Sequence, residues 1–361
     1  MLTHIDPPAG SRRARRLRLA VPGVFLIVAA VGTGHAAAQP LPVQRVDVFD
    51  DMKNRPDAGN GTNILLMGTD GRDTITRKEK REFHAGGVAC NCTDTLMLVH
   101  VSEARDRVSV VGLPRDSYAD IPAHRDEATG EERPAHPGKI NGAYAEGGPE
   151  LSVRTVEEMT GVRVDRYLQL DFRRFMDSVE TVGGVRVCTS RPLKDRTTKL
   201  DLAPGSHLLD GGRSLQYVRS RHVDGSADFG RIQRQQRFLV AAMKSVRTGN
   251  VLTDSVRAAR LGRSLVGAAQ VDRGFSAEQI LTLAKDLGKL PASSMEFTTV
   301  PVNGFSETLN GALQWDRPKA DKVFRALGQD RPLTRDSKAR LSDPPRFGSP
   351  VTVRGDTIEC R

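Results

Sequence analysis

Three short runs, NILLM at 63–67, TLMLVHV at 95–101 and RVSVVG at 107–112, are apolar or β-branched almost throughout. Runs this short are poor helices, and they lack the polar alternation of a half-exposed strand. They read as strands buried on both faces. Helical patterns follow. Residues 150–160 and 171–181 carry apolar side chains at three-to-four spacing, the second pattern stopping at Gly183 and Gly184 before a strand-like 185–187. Further helices are predicted over 212–219, 231–248 and 276–287, and a strand over 295–301. Doubly covered strands alternating with helices imply an α/β protein, a three-layer α-β-α sandwich around a central mixed, twisted sheet.

The N-terminus adds a membrane segment to this expectation. Arg12, Arg13, Arg15, Arg16 and Arg18 precede an uncharged, largely apolar run at 19–34, and Ala36, Ala37 and Ala38 follow it. Arginines on the near side are retained in the cytoplasm, so the chain beyond residue 38 is expected outside. The segment reads as a transmembrane anchor or a cleavable signal peptide, since a full span takes about 20 apolar residues and Pro22 interrupts this one. The expected organisation is a cytoplasmic basic segment at 1–18, the anchor or signal at 19–38, a Pro-, Asp- and Gly-rich linker at 39–60, one catalytic domain at 61–330 and a flexible, Pro-rich tail at 331–361.

Export changes the reading of the cysteines. Cys90, Cys92, Cys188 and Cys360 are an even set in an oxidising compartment, which favours disulfides over metal thiolates and allows three pairings. The formal charge of +10 calls for an anionic partner. A nucleic-acid partner is excluded by the export signal and by the lack of a helix-turn-helix, zinc-finger or aromatic stacking motif.

The segment YVRSRHVDGSADFGRIQRQQ concentrates Arg219, Arg221, Arg231, Arg234 and Gln235 around Asp228. Guanidinium groups are planar, permanently charged and hold phosphate oxygens in pairs, so this density suits a phosphate clamp. Three upstream segments belong with it. In NILLMGTDGR a strand delivers Asp70 and Arg72 to the mouth of the sheet, where open α/β folds place ligands. In TDTLMLVHV, Asp94 opens the next strand, and in LPRDSYADIP, Arg115 and Asp116 follow a third. Two carboxylates among arginines make chemical sense with a divalent cation between protein and phosphate. Magnesium takes one or two protein carboxylates and fills its other positions with water and phosphate oxygens. Asp70 and Asp94 are its candidate ligands.

These segments, together with KINGAYAEGGPELSVRTVEEMTGVRVDRYLQLDF, VETVGGVRV and LLDGGRSLQYVRSRHVDGSADFGRIQRQQRF, closely resemble the LytR-CpsA-Psr proteins, membrane-anchored ligases of bacterial cell walls. The resemblance is strong over 63–238 and weaker towards 302. It implies an enzyme that takes a glycopolymer from a polyprenyl pyrophosphate carrier and joins it to peptidoglycan as a phosphodiester, outside the membrane. On matching positions it makes Asp70 and Asp94 magnesium ligands, and Arg115, Lys139, Arg219, Arg221, Arg231 and Gln235 pyrophosphate-binding residues. Asp228, in the same block, joins the catalytic candidates. It also implies an apolar tunnel for the lipid tail, partly lined from 151–185.

One departure stands out. The family carries an arginine two positions before the carboxylate matched by Asp94, and here that position is Cys92. Arg72 or Arg81 is expected to supply the missing charge. Two other readings use the same residues: a pyrophosphatase with water as acceptor, and a non-enzymatic envelope or regulatory binding protein.

Overall fold

A computed structural model describes residues 45–86, 93–249, 270–334, 339–340 and 351–359. The basic segment and the anchor or signal lie outside these residues. Among the described residues, no helix is long and apolar enough to cross a membrane.

The centre is an eight-stranded sheet. Its strands are β1 (Arg45–Val46), β2 (Thr62–Thr69), β3 (Thr93–Val101), β4 (Val108–Leu113), β5 (Arg166–Leu170), β6 (Gln270–Asp272), β7 (Met295–Thr299) and β8 (Val353–Arg354). The spatial order is β1-β6-β5-β2-β3-β4-β7-β8. Pairs β1–β6, β5–β2 and β4–β7 are parallel and the rest antiparallel, so the sheet is mixed.

Seven helices flank it among the described residues: α1 (Arg77–Glu82), α2 (Gly142–Thr160), α3 (Phe172–Thr181), α4 (Gly211–Arg219), α5 (Ala227–Thr248), α6 (Ala277–Lys289) and α7 (Arg317–Gly328). Side-chain alternation along each strand sorts the core into two layers. Leu65, Met67, Leu96, Leu98, Val111 and Leu113 pack beneath α2 and α7, whereas Ile64, Met97, Val108 and Val110 pack beneath α5 and α6. This is the expected three-layer arrangement, and it explains why the strands carry no polar face.

The helix predicted over 150–160 is the second half of α2. Gly148 has φ 59° and Pro149 follows, so the chain kinks there and restarts with proline in the first turn, where no N–H is needed. Helix α5 starts at Ala227 rather than 231, which brings Asp228 into its first turn, three residues before Arg231. Strands β5 and β6 and helix α7 were not anticipated.

Both domain boundaries need correction. Part of the expected linker is structural, because β1 pairs with β6, Val48 is buried in the main core and Arg55 grips Glu157 at 2.6 Å. Part of the expected flexible tail is too. Strand β8 closes the sheet against β7, with Val353 and Ile358 buried beneath it. Composition misled in both places, since a few apolar side chains suffice to fix a strand of two residues.

Candidate active site

The register of the sheet assembles the site. Strands β2 and β3 are antiparallel, with Gly68 opposite Thr95 and Thr69 opposite Thr93, so Asp70 leaves one strand beside the point where Asp94 enters the other. Leu96 faces Leu113 on β4, which brings Arg115 to the same end of the sheet. A hairpin of Tyr118–Ile121 and His136–Lys139 then carries Lys139 back to this edge, where its Nζ lies 3.2 Å from Asp116.

The arginines arrive from the helical side. Helix α4 is capped at its start by Asp210, packs on α3 and ends in Arg219, whose guanidinium stacks on Phe172 at 4.8 Å. A tight strap follows. Backbone N–H groups of Arg221 and His222 both donate to Asp195, and Arg234 donates to the Ser220 carbonyl at 2.6 Å. Asp195 was not foreseen, because a lone aspartate at the end of a three-residue strand shows no pattern. Arg231 lies within α5 and is almost wholly buried, 2% exposed.

Asp94 is the hub. Its Oδ1 accepts from Arg115 at 2.6 Å and from Arg221 at 3.0 Å, and lies 3.7 Å from Arg231. Burial pushes its carboxyl up, but Arg231, Arg221 and Arg115 outweigh that and hold it below the usual carboxylate range. Asp228 forms an ion pair with Arg231 at 2.8 Å and lies 3.7 Å from Arg221 and 3.9 Å from Arg115. Asp70 is bridged by the Nε of Arg72 at 2.6 Å.

Positive charge is in excess. Among the described residues, the carboxylates paired with or felt by Arg72, Arg115, Lys139, Arg219, Arg221 and Arg231 are Asp70, Asp94, Asp116 and Asp228. The imbalance is visible in the guanidinium groups themselves. Arg231 is pushed down to about 10, first by burial and then by Arg221 and Arg115, against the pull of Asp228 and Asp94. Arg219 is lowered by burial and by Arg72 despite Asp70 and Asp94, which also shows that these groups share one field. Arg115 moves the other way, since Asp94, Asp116 and Asp228 overcome its burial.

Buried polar atoms are normally satisfied. Here Arg115 Nε, Arg219 Nη1, Arg231 Nε, Asp228 Oδ2 and Thr93 Oγ1 are buried without a hydrogen-bond partner. Forked donors left over at one sheet edge are what an oligo-anion needs.

Asp70, Asp94, Arg115, Lys139, Arg219, Arg221, Asp228 and Arg231 lie at this edge, and the other candidates have different duties. Gln235 gives its amide nitrogen to Thr95 Oγ1 and the Val218 carbonyl, so it ties β3 to α4. Arg234 turns away to Asp224. Of the two proposed substitutes for the absent arginine, Arg72 is in the cluster and Arg81 lies exposed on α1. Cys92 lies outside the described residues. Cys188 is disulfide-bonded. Within the expected tunnel lining at 151–185, Leu151, Val153, Val156 and Met159 of α2 are packed into the core against the sheet.

The chain is 29% identical over 269 residues to the "Probable cell wall biosynthesis protein LcpB" of Corynebacterium glutamicum, covering 74% of this chain and 61% of that relative. It is 28% identical to the "Polyisoprenyl-teichoic acid--peptidoglycan teichoic acid transferase TagU" of Oceanobacillus iheyensis, over 80% of this chain and 82% of the relative. The chain thus spans about three-fifths of the first curated relatives it matches. The solved "LytR-Csp2A-Psr enzyme from Actinomyces oris" superposes with a TM-score of 0.57 at 19% identity, over 80% of this chain and 97% of that one, which shows a common fold. The LytR_cpsA_psr family model matches residues 27–329, and the chain belongs to that family.

Proposed function

We propose that this protein is a phosphotransferase that moves a glycopolymer from a polyprenyl pyrophosphate carrier onto peptidoglycan as a phosphodiester, outside the membrane. The observation that carries this reading is the convergence of six cationic side chains on four carboxylates with their forked donors unfilled. A diphosphate supplies the missing negative charge. The names of the transferase relatives support the substrate class, and the basic, apolar N-terminus supports a membrane-held enzyme whose anionic partner is lipid-linked and not nucleic acid.

In this mechanism the acceptor hydroxyl attacks the sugar-proximal phosphorus in line. A new P–O bond forms to the acceptor, the bridging P–O bond breaks, and polyprenyl monophosphate leaves. Arg115, Arg219, Arg221 and Arg231 hold the diphosphate oxygens and the charge that develops on them, the electrostatic stabilisation on which phosphoryl transfer depends. Lys139, held by Asp116 at the rim, adds a mobile charge. Asp94 Oδ1 is committed to its arginines, whereas Asp228 keeps Oδ2 without a partner and is the carboxylate proposed to take the acceptor proton.

The residues present fit magnesium. Asp70 and Asp94 stand at adjacent strand ends, one leaving β2 and the other entering β3. No group of three His, Cys, Asp or Glu residues among the described ones is arranged to hold a metal, so such an ion would rely on phosphate oxygens and water for its other ligands. Bound there, it would act as a Lewis acid on the diphosphate.

The test incubates the protein with a polyprenyl-pyrophosphate oligosaccharide, peptidoglycan and magnesium. A phosphodiester-linked product with release of polyprenyl monophosphate is expected, and Arg219→Ala should abolish it. Free sugar phosphate with unmodified peptidoglycan would assign hydrolysis instead, and binding without turnover would assign a carrier.

A further inference from the structure

The loop that delivers Arg115 is a β-turn held from outside the sheet. Ser117 N–H donates to the Pro114 carbonyl at 2.9 Å, which puts Arg115 and Asp116 at the two corner positions. Every carbonyl of the turn is taken. Pro114 accepts again from the Ser117 hydroxyl at 2.7 Å, Arg115 from Asn141 N–H at 3.2 Å, Asp116 from Leu313 N–H at 2.7 Å and Ser117 from Ile140 N–H at 2.9 Å. Residues 140–141 and a hairpin of Val302–Phe305 with Leu313–Trp315 thus grip the turn from two sides.

The hairpin makes a further contact, through a side chain. Trp315 Nε1 donates to Ser117 Oγ at 2.8 Å, and that hydroxyl in turn donates to Pro114. Both side chains are buried, 3% and 0% exposed. An indole N–H can only donate, so the serine hydroxyl is its acceptor and turns its own hydrogen towards the proline carbonyl. On its faces the indole meets Phe324, with ring centroids 5.4 Å apart, and the Arg317 guanidinium at 5.3 Å. The loop between the hairpin's strands also approaches Lys139, since a Cβ on Gly311 would stand 3.4 Å from Nζ.

The turn carries a cation shared by three carboxylates. Arg115 lies 2.6 Å from Asp94, 3.5 Å from Asp116 and 3.9 Å from Asp228, which belong to β3, the turn itself and α5, and it keeps a buried Nε without a hydrogen-bond partner. A long, many-jointed side chain can hold such a position only from a fixed backbone. We infer that Trp315 is a positioning residue for the diphosphate clamp, fixing through Ser117 the turn from which Arg115 reaches its ligand. The inference rests on the clamp of the proposed phosphotransfer, and Trp315, buried behind the turn, acts only through Arg115. A tryptophan that merely fills the core beside Phe324 would contribute stability and have no link to that arginine.

The test is a double-mutant cycle on the full chain in detergent, read by calorimetric titration with geranylgeranyl diphosphate. Trp315→Phe keeps an aromatic ring and removes the donor, whereas Ser117→Ala removes the acceptor and leaves the indole. Each should lower diphosphate affinity about tenfold, less than the hundredfold that a displacement of about 1 Å can cost. In an Arg115→Ala background either change should leave affinity within about twofold of Arg115→Ala alone, because the group they position is gone. Thermal melts of the same variants follow packing, whose loss should be equal with and without Arg115. Equal affinity losses in the two backgrounds would overturn the proposal and leave Trp315 a core residue, as would parent affinity in either single variant. A parent that fails to bind geranylgeranyl diphosphate would overturn the clamp and this inference with it. Binding without formation of a phosphodiester would overturn the phosphotransfer reading alone.

Discussion

Replacing Arg219 by methionine should make the protein more stable and nearly unable to hold a diphosphate. The guanidinium has no ionic partner among the described residues, keeps Nη1 buried and unsatisfied, and is pushed down by burial and by Arg72. Leaving a buried donor unmade costs about 1–3 kcal/mol. Against this stands the stack on Phe172 at 4.8 Å, about 0.5–1 kcal/mol at a partly exposed site, and a thioether recovers part of it by sulfur–aromatic contact. The balance favours the variant by about 1 kcal/mol, a rise of about 2–4 °C in Tm for a domain of this size. Binding moves the other way, because a hydrogen bond to a charged group is worth about 1.5–3 kcal/mol, or roughly a 10- to 150-fold loss of diphosphate affinity. Differential scanning fluorimetry without ligand and calorimetric titration with geranylgeranyl diphosphate measure the two effects. If Arg219→Met melts below the parent, Arg219 is part of the scaffold, and the argument from unsatisfied donors is wrong.

Three further perturbations probe the same logic. Asp94→Asn strips the hub from Arg115, Arg221 and Arg231, and since its partners range from 2% to 26% exposed the cost should be about 2 kcal/mol, below that of a fully buried pair, measured by urea denaturation. A native carboxyl held below its unfolded value gives stability that is complete above the unfolded value and lost as pH falls through the native one, so the gap between parent and variant should close only in acid below the ordinary carboxylate range. Arg72→Ala should slow transfer about a hundredfold, as removal of one transition-state donor does, while Arg81→Ala changes nothing; equal rates would show that Arg72 does not replace the family's arginine. Deleting residues 351–361 should destabilise the domain by several kcal/mol, up to about 1.5–3 for each of the buried Val353 and Ile358, and expose the edge of β7 to aggregation, as thermal melts and light scattering would report.

What was legible in the sequence follows from how each feature is encoded. Strands β2, β3 and β4 are buried on both faces and so show as unbroken apolar runs, and their ends carry Asp70, Asp94 and Arg115 to a common edge. Helices α3 and α4 show a period. Strands β1, β6 and β8 have two or three residues each and are held by register with a neighbour, which leaves no pattern to read. The same limit hid Asp195 and Asp224, single carboxylates that hold the strap and the pair Arg191 and Arg234. Arg234 shows the limit in the other direction. It shares a motif with Arg231 and is three residues away, yet one turn of helix sends it to a different cluster.

The family's arginine before Asp94 is a test of whether this site depends on residue positions or on a field. Cys92 removes a charge from the entry to β3, and Arg72 supplies one from the exit of β2. Because these strands are antiparallel neighbours, exit and entry are the same place. Arg72 bridges Asp70 and is felt by Arg219, which makes it the group expected to restore the cluster's excess of cations from the neighbouring strand. A clamp for a diphosphate tolerates such an exchange more readily than a nucleophile would. Phosphoryl transfer needs charge focused on oxygens that several donors share, whereas covalent catalysis needs one atom at one point. The unsatisfied donors are the cost of that focus, and a fold of three layers with two packed cores can bear it.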